Sequence, residues 1–447
     1  MGEKWKQSII SNKYPTNRDV PLKSAQSWLD GRREDDNAEG LWRIHDSLYD
    51  FSDFIQRHPG GPDWLKLTKG IDITELFEAH HISEYPEKMI EKYKVRDTEK
   101  PRNITLTIKE DGFYRTLKRR VRTKLATIDS KELYQKLDNI HNSLLAASYL
   151  LCIMSAYYQS TFLALIAGLL VNWTVIIAHN YFHRKDNWRM YTFNISMMSY
   201  REWRISHAMS HHMYANSYHD LELSLFEPFL CWIPSPDLKN FVTRYLSWIY
   251  SPIIYAVIPI LQFVKRSVLS VILGTKQLYW DDIIPFTIPL AMYFTVNIPL
   301  LTILKIWLTM LLSCGFAFGL IGLTAAHHHP EIVHDGDAMR DNRDWGLYQI
   351  DTIIDRRDLK GSQLLVLTHF GEHILHHLFP TLDHGVLPEL YPVLYETMAD
   401  FEGELRECSW IHHIIGQFRQ LARITPNPCP PGHQKRKGNK QKFISAH

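Results

Sequence analysis

Histidines at helical spacing mark one short stretch of the chain, residues 368–384, which reads THFGEHILHHLFPTLDH. His369, His373, His376 and His377 follow one another at intervals of four, three and one residues. On a helix, side chains at these intervals share one face. Imidazole binds iron, copper, zinc and nickel, so the face predicts a metal site without naming the metal. Taken alone, such a cluster is better explained as chance or as a weak surface zinc site.

Two further clusters change that interpretation. His179 and His183 stand four residues apart, and His207 is followed by the pair His211 and His212. A run of three more histidines begins at His327, directly after an apolar segment. Eight or more imidazoles exceed what one ion can bind, which indicates two ions. Two close ions with only neutral ligands keep a high positive charge, and such a pair can bind and split dioxygen.

A different motif lies near the N-terminus. Residues 58–61, His-Pro-Gly-Gly, follow a short apolar segment at 48–55. The glycines let the backbone approach a large flat group, and they point the histidine at it. Further along, Phe77 and His81 would share a helical face. The plain alternative is that the motif is only a tight turn.

Residues 41–95 resemble a cytochrome b5 domain, because that motif follows a Tyr-Asp-Phe-Ser-Asp-Phe run and precedes Asp-x-Thr-x-x-Phe. The resemblance implies a b-type heme with His58 as one axial ligand. The second ligand is expected to be His81, with its neighbour His80 as the alternative. Two axial histidines leave no open position on the iron, so such a heme carries electrons and does not activate oxygen.

Four carboxylates accompany this motif: Asp72, Glu75, Glu78 and Glu84. One interpretation makes them an acidic rim on which a basic reductase docks, and the other makes them an ordinary solvated face. The sequence leaves both open.

The chain has 447 residues, room for two or three domains, and a formal charge of +2. We expect no nucleic-acid partner. Its five cysteines lack paired spacing and are expected to be reduced packing residues. The N-terminus lacks the apolar segment of a cleavable signal peptide, so the first membrane segment is expected to act as an internal anchor.

Long uncharged runs predict two membrane hairpins. Residues 142–178 would form about 55 Å of helix, whereas a hydrocarbon core is about 30 Å thick, so we expect two crossings that turn near 157–161. Residues 283–326 predict two more crossings, with the turn between Asn297 and Lys305.

A third apolar segment, residues 241–273, is expected to lie in the membrane interface. A fifth crossing would put His327 and the last cluster on the opposite side from the first two. Basic residues at 115–124 precede the first run and place the N-terminal domain in the cytosol. The basic segment 433–442 is expected to be disordered and cytosolic.

Residues 144–392 resemble the membrane-bound fatty acid desaturases, in particular those fused to cytochrome b5. The three boxes, HxxxH, HxxxHH and HxxHH followed by Leu-Phe-Pro, occur in order with the expected spans between them. By position, the resemblance implies a di-iron centre. Its ligands would be His179, His183, His207, His211, His212, His327, His373, His376 and His377.

Two positions depart from the family pattern. The third box begins with His373, where b5-fused front-end members usually have Gln. Leu323 stands where acyl-CoA members have Asn, one turn before His327. The branch of the family, and the form of the substrate, therefore stay open.

Other residues near the boxes have less certain roles. Three carboxylates either hydrogen-bond ligand imidazoles or are ordinary surface groups: Asp220, Glu222 and Asp383. Three histidines are expected to lie outside the site: His328, His329 and His334. For His369 and His384 both outcomes are open.

The predicted fold is an α+β cytochrome b5-like heme domain followed by an all-α, four-span membrane domain with a cytosolic histidine-rich cap. The predicted parts are a polar lead (1–35), the heme domain (36–100), a basic linker (101–141), the desaturase domain (142–400) and a cytosolic tail (401–447).

The predicted function is oxygen-dependent desaturation of a fatty acyl chain, with heme b and two iron ions as cofactors. The expected partners are O2, a lipid acyl substrate, the membrane and an NAD(P)H-dependent cytochrome b5 reductase. We expect an integral protein of the endoplasmic reticulum with both termini in the cytosol. Two alternatives are a b5-fused lipid hydroxylase, disfavoured by the three residues between His179 and His183, and a membrane-anchored electron carrier with a degenerate iron site.

Overall fold

A computed structural model describes residues 7–272, 274, 277–401 and 403–431. Residues 7–35 form no loose lead, contrary to the prediction. Helix α1 (Ala25–Asp35) begins at Ser24, whose hydroxyl accepts a hydrogen bond from the Ser27 amide at 3.1 Å. Before it, the Ser8 hydroxyl donates to Asp335 at 2.8 Å. The polar residues of this segment serve as a cap and as tertiary partners, which composition alone cannot distinguish from disorder.

The heme-type domain is α+β, as predicted. Strands β1 (Trp42–Ile44), β2 (Ser47–Tyr49) and β3 (Lys94–Asp97) form an antiparallel sheet in that order. Three short helices lie between β2 and β3: α2 (Pro62–Thr68), α3 (Thr74–His80) and α4 (Tyr85–Ile90). The sheet and helices enclose an apolar core that includes Trp42 and Phe77.

The predicted basic linker is also folded. Helix α5 (Phe113–Leu125) buries Phe113, Tyr114 and Leu117 completely, against the core that the membrane helices share. Most of its basic residues are at least partly exposed, whereas Lys118 is buried with the apolar residues, so the charged composition belongs to a folded helix with one buried side. The linker prediction is wrong because it weighed charge and not the apolar stripe.

Three of the four candidate rim carboxylates are buried and paired within the chain. Arg102 binds Asp72 and Glu75 at 2.7 and 2.6 Å, and Lys118 binds Glu78 at 2.9 Å. A carboxylate that is 0–2% exposed and already paired cannot attract a reductase. The docking-rim interpretation is therefore wrong for these three residues, and so is the solvated-face interpretation.

The first membrane hairpin turns where the sequence predicts. Helix α6 (Ser130–Tyr157) and helix α7 (Thr161–Phe182) are joined through Gln159, whose φ is +47°. At Gly168 in α7, a Cβ would lie 2.5 Å from the Met310 carbonyl oxygen. Met310 belongs to the helix over residues 300–322, so a larger residue at position 168 would push that helix away from α7.

The histidine-rich cap begins with a continuous helix over residues 200–214, here called the second-box helix. Its middle is a π-helix, which inserts an extra residue into the turn. The segments of this part are α8 (Tyr200–Trp203), the π-helix (Arg204–His211), α9 (His212–Tyr214), α10 (Leu221–Leu225) and α11 (Phe241–Tyr245).

Among the described residues, four helices are long and apolar enough to cross a membrane: α6, α7, α12 (Ser247–Val271) and α14 (Leu300–Gly322). The number agrees with the prediction, but the third helix differs. The predicted third crossing contains only a 3-10 helix, Trp280–Phe286, and α13 (Thr287–Thr295). Pro285 lies inside the 3-10 helix and lacks the amide hydrogen that an α-helical turn would need there.

Helix α12 packs across α14 at Gly319, where a Cβ would lie 2.5 Å from Tyr255 Cβ. Towards its other end, Arg266 binds Asp282 at 2.9 Å and Glu202 at 3.4 Å. Because Glu202 belongs to the second-box helix, the C-terminal half of α12 lies at the histidine end of the bundle. This geometry favours the predicted interfacial position, although length and composition alone equally permit a crossing.

The rest of the chain completes the cap. Its elements are α15 (Trp345–Asp351), β4 (Asp355–Arg356), α16 (Gln363–Thr368), α17 (His373–Leu378), α18 (Tyr391–Asp400), β5 (Glu407–Cys408) and α19 (Trp410–Ala422). Strand β5 pairs in parallel with β4, and Gln417 in α19 donates to the Tyr255 hydroxyl at 2.8 Å. Residues 403–431 are therefore part of the folded body and not a tail. The predicted basic segment 433–442 lies outside the described residues.

We predict that Glu78→Gln destabilises the heme domain by about 3 kcal/mol, because it removes the closer counter-charge of buried Lys118 and leaves only the partly exposed Glu87 at 3.4 Å. Burial alone would raise the pKa of Glu78, but His45, Lys118 and Arg115 hold it well below its usual range. The stabilisation is therefore present above the unfolded pKa of about 4.5 and is lost as the pH falls below it. Urea unfolding followed by heme absorption measures the change.

Glu84→Gln is the matched control for this prediction. Its side chain is 55% exposed and pairs with Arg122, also on α5. An exposed pair contributes at most about 1 kcal/mol, so this variant should unfold nearly as the parent does. Equal unfolding curves for the two variants would contradict the prediction.

Candidate heme and metal centres

A tight turn presents His58. A 3-10 helix, Ile55–Arg57, ends at His58, and Pro62 starts α2 directly after Gly61, whose φ is +113°. The Nδ1–H of His58 donates to the Gly61 carbonyl at 2.9 Å. This hydrogen bond fixes the tautomer and leaves Nε2 with a free lone pair.

His81 faces His58 across a gap. Its Nδ1–H donates to the Phe77 carbonyl at 2.9 Å, so its Nε2 is also available. The two ring centroids lie 6.2 Å apart with an interplanar angle of 79°. An iron bonded to both nitrogens at about 2 Å would require a centroid separation of about 6 Å. The pair therefore fits a bis-histidine heme iron.

His80 points away from this gap. Its ring lies 5.0 Å from Trp64, and its Nδ1–H donates to the Leu76 carbonyl at 3.0 Å. Burial lowers the pKa of His81 to about 4, so the imidazole that faces His58 stays neutral at physiological pH, as a ligand must. The geometry favours His81 over His80 as the second axial ligand.

The nine predicted metal ligands come together at the cytosol-facing end expected for the bundle. Helix α7 ends with His179 and His183, the second-box helix supplies three histidines, His327 follows α14, and α17 supplies three more. Each of the nine is at most 5% exposed. They are His179, His183, His207, His211, His212, His327, His373, His376 and His377.

Eight of these histidines form two groups of four. Within each group, one ligand atom from each residue lies within 4.8 Å of the others. The first group is His179, His183, His207 and His376. The second group is His211, His327, His373 and His377. Four neutral imidazoles per ion leave positions free for oxygen.

The Nε2 atoms point at one another. His179 and His376 bring theirs to 3.0 Å, and His327 lies 3.0 Å from His373 and 3.1 Å from His377 by the same atoms. His183 has no hydrogen-bond partner for either ring nitrogen among the described residues. Converging lone pairs and a buried nitrogen without a partner are what a metal ion would satisfy.

His212 lies between the two groups and belongs to neither. Its ring stacks on His377 at 4.0 Å and lies 4.4 Å from His183. Its Nε2 is 3.0 Å from that of His207. The structure brings this predicted ligand into the site without assigning it to one ion.

Two carboxylates and one amide side chain contact the Nδ1 atoms of ligand rings, the nitrogens that face away from the other histidines. Asp220 accepts from His211 Nδ1 at 2.8 Å, and Glu222 accepts from His207 Nδ1 at 3.1 Å. The Gln349 side chain contacts His377 Nδ1 at 3.1 Å, a role that no sequence motif indicated. Such partners fix the ring orientation of metal ligands. Asp383 has no such role, because it binds Arg184 at 2.5 Å.

Burial by itself would lower the pKa of His211, but Asp220 and Glu222 outweigh it and raise that pKa to about 9. Burial raises the pKa of Glu222 to about 7. Without a metal, His211 therefore holds a proton at neutral pH. Metal binding must release that proton.

The remaining histidines divide as follows. His384 lies 4.6 Å from His376 by ring centroids, at the edge of the site. His328 stacks on Trp232 at 4.0 Å, and His369 lies 5.9 Å from Trp410, so both are outside it. His329 packs near His412 and His413, and His334 lies by Arg423. The three predicted bystanders are thus apart from the metal groups.

An apolar cavity opens beside the second group of histidines. Its wall includes His207, His327, His373 and the acidic side chain of Glu222. The rest of the wall is mainly apolar and comes from the second-box helix, α12, the C-terminal end of α14 and the loop between α16 and α17: Trp203, Ile258, Phe318, Leu323 and Phe370. A lining of this kind suits an alkyl chain.

Comparison with known proteins agrees with this geometry. Residues 158–408 match the family described as fatty acid desaturase, and residues 28–99 match the cytochrome b5-like heme/steroid binding domain. The chain is 56% identical over 435 residues to a cytochrome b5-related protein of Drosophila melanogaster, covering 97% of this chain and 99% of that protein. The predicted resemblance to b5-fused desaturases is confirmed.

More distant relatives carry enzyme names. The chain is 24% identical over 430 residues to a probable Delta(5) fatty acid desaturase C of Dictyostelium discoideum, covering 85% of this chain and 91% of that protein. It is also 24% identical over 399 residues to an acyl-lipid (8-3)-desaturase of Mortierella alpina, covering 80% and 87%. No solved structure matches the chain.

We predict that His58→Ala and His81→Ala each abolish the low-spin bis-histidine heme spectrum, because each removes one of the two facing Nε2 atoms. His80→Ala is the control and should keep the spectrum, since its ring faces Trp64. Absorption spectroscopy of the purified proteins is the measurement. Loss of the spectrum in His80→Ala with its retention in His81→Ala would show the ligand assignment to be wrong.

We predict that His376→Ala removes the non-heme iron while the heme spectrum stays, because the two centres use separate side chains. His369→Ala, a nearby histidine outside both groups, should keep the full two ions per chain. Metal analysis corrected for heme iron gives the answer. Folded wild-type protein with no non-heme iron would contradict the two-ion assignment.

Proposed function

Since the chain belongs to the fatty acid desaturase family and carries a cytochrome b5-like domain, we propose that it is a membrane-bound, oxygen-dependent fatty acyl desaturase with its own electron donor. The observation that carries the proposal is the pair of facing histidine groups beside an apolar cavity. The proposed reaction converts CH2–CH2 of an acyl chain to CH=CH. It consumes one O2, two electrons and two protons, and it releases two waters.

When bound, heme b would supply the electrons singly and two irons would supply the oxygen chemistry. His58 and His81 would hold the heme, and the two histidine groups would hold the irons. Asp220, Glu222 and Gln349 keep ligand rings in one orientation, so the site is organised before metal arrives.

The cavity wall excludes water and receives the alkyl chain. Phe318 and Leu323 from the α14 region face the same space as His327 and His373. The Leu323 side chain offers no hydrogen bond, so at this position the wall recognises shape and apolar character alone. An acyl segment placed here lies beside the metal groups, where a C–H bond could be attacked.

The proposed partners are a lipid acyl substrate, O2 and an NAD(P)H-dependent cytochrome b5 reductase. The proposed location is the endoplasmic reticulum membrane with both termini in the cytosol. A tag at the C-terminus that reacts with a probe added from the lumen would contradict this topology.

Two other functions use the same parts. A hydroxylase would insert oxygen into the C–H bond, and an electron carrier would use the heme without an active iron site. The complete groups of four histidines argue against a degenerate iron site. The three residues between His179 and His183 favour the desaturase.

We predict that expression in a heterologous host produces unsaturated acyl chains that the host lacks, and that His376→Ala produces none. Mass spectrometry of total lipids is the measurement. Hydroxylated products would support the hydroxylase. Absence of both products from protein that carries heme and iron would favour the electron carrier.

A further inference from the structure

The second-box helix separates the heme domain from the metal groups. Ile205, Ala208 and Met209 belong to the apolar core of the heme domain, together with residues such as Trp64 and Phe77. On other faces of this helix, His207 and His211 belong to the metal groups. A helix is about 10 Å across with its side chains, so the two sites are about one helix apart here.

The heme-binding turn also contacts the loop that follows the first box. The Asp186 amide donates to the Gly60 carbonyl at 3.2 Å. A Cβ at Gly61 would lie 2.2 Å from Asp186 Oδ2. This position needs glycine both for its φ of +113° and for this contact. Asp186 stands three residues after His183. The turn that presents the heme ligand His58 therefore packs beside the segment that presents the metal ligand His183.

Arg204 joins these two contacts. It is 1% exposed and forms an ion pair with Asp186 at 2.8 Å. Its Nε donates to the carbonyl of Phe182, the residue before His183, at 3.1 Å. Its guanidinium lies 4.8 Å from the centroid of the Trp64 ring. One buried side chain of the second-box helix thus contacts both the heme domain and the segment that carries the first box.

A series of rings completes the connection. The Trp64 ring lies 5.0 Å from His80, and His80 is bonded to His81, which faces His58. Nothing in the proposed reaction requires His80, yet this half-buried histidine packs against Trp64. The ring series leads from the heme ligands to Arg204, and Arg204 leads to the first and second boxes.

We propose that Arg204 fixes the electron-transfer contact between the two centres, with Trp64 and His80 as the route. This inference rests on the proposed function. In each transfer the ferrous heme would lose one electron and become ferric, and the metal site would gain that electron. Two transfers supply the two electrons of the reaction, and the flavin of the nicotinamide-dependent reductase restores ferrous heme each time. Arg204 is a positioning residue and touches no reacting atom.

Arg204→Gln tests this proposal, with Arg201→Gln as the matched control. Arg201 lies one turn earlier on the same helix and also crosses the interface, because it binds Asp63 at 3.0 Å, but it does not join Trp64 to the boxes. Each purified protein, loaded with heme and iron, is mixed without oxygen with less than one equivalent of dithionite. The decay of ferrous heme absorption then reports transfer to the metal site.

We expect Arg204→Gln to slow this decay at least tenfold, while iron content, heme spectrum and the rate of heme reduction by the reductase stay at the wild-type level. Arg201→Gln should stay within twofold of wild type. Hydrogen exchange gives a second readout that needs no iron: peptides over residues 58–68 should exchange faster in Arg204→Gln than in wild type. If Arg204→Gln loses heme, Asp186→Asn replaces it, with the same expectation.

A wild-type decay rate in Arg204→Gln, or equal slowing in both variants, would overturn the proposal. The underlying function fails in a different way. If wild-type protein oxidises its ferrous heme no faster than iron-free His376→Ala protein, no transfer to the metal site occurs at all. Retention of the tenfold effect in a protein that makes no desaturated lipid would support Arg204 independently of the substrate.

Discussion

Nine imidazoles buried together are tolerable only if their nitrogens are satisfied, and this constraint governs the cap. A buried polar group without a partner costs about 1–3 kcal/mol. Here the Nδ1 atoms of several ligands are paired with Asp220, Glu222, Gln349 and the Thr352 carbonyl, while the Nε2 atoms converge. For these rings the protein satisfies the outer nitrogen with its own groups and leaves the inner nitrogen to metal. Among the described residues, no partner is present for the Nδ1 atoms of His183, His212, His373 and His376. Elements from four distant parts of the chain are held in place to make that arrangement.

The second-box helix must serve both domains. Its histidines face the metal groups, and Ile205, Ala208 and Met209 fill the heme-domain core. A regular helix would repeat its faces every 3.6 residues, but the π-helical turns over Arg204–His211 widen the repeat. The widened turn brings His207, His211 and the adjacent His212 into one site. Local helix geometry, domain packing and metal binding are therefore set by the same eight residues.

Local motifs were enough to predict the site, and tertiary contacts were needed for the rest. The spacing of the boxes identified seven of the eight histidines in the two groups of four, and His327 was predicted only from the family resemblance. The His-Pro-Gly-Gly turn and the Phe77–His81 spacing led to the pair His58 and His81. Gln349 has no motif and became visible only in space. The linker prediction failed because its basic residues have partners in the heme domain. Arg115 and Lys118 of α5 bind Glu78, and Arg102, which precedes α5, binds Asp72 and Glu75, pairings between segments far apart in sequence. The predicted third crossing contains a 3-10 helix followed by α13 and not one long α-helix, a difference in local helix type that apolar composition does not reveal.

The internal pairing of those carboxylates changes what a fused donor means. A domain on a flexible tether offers its partner a high effective concentration but must still find the right orientation in every cycle. Here salt bridges, a shared apolar core and the contact between Gly61 and Asp186 hold the donor at one orientation. The orientation of the heme domain relative to the metal groups is therefore set once, when the chain folds. Under the proposed function, encounter with the external reductant would be the one diffusive step left in the supply of electrons, and the reductant would dock away from Asp72, Glu75 and Glu78, which are already paired within the chain.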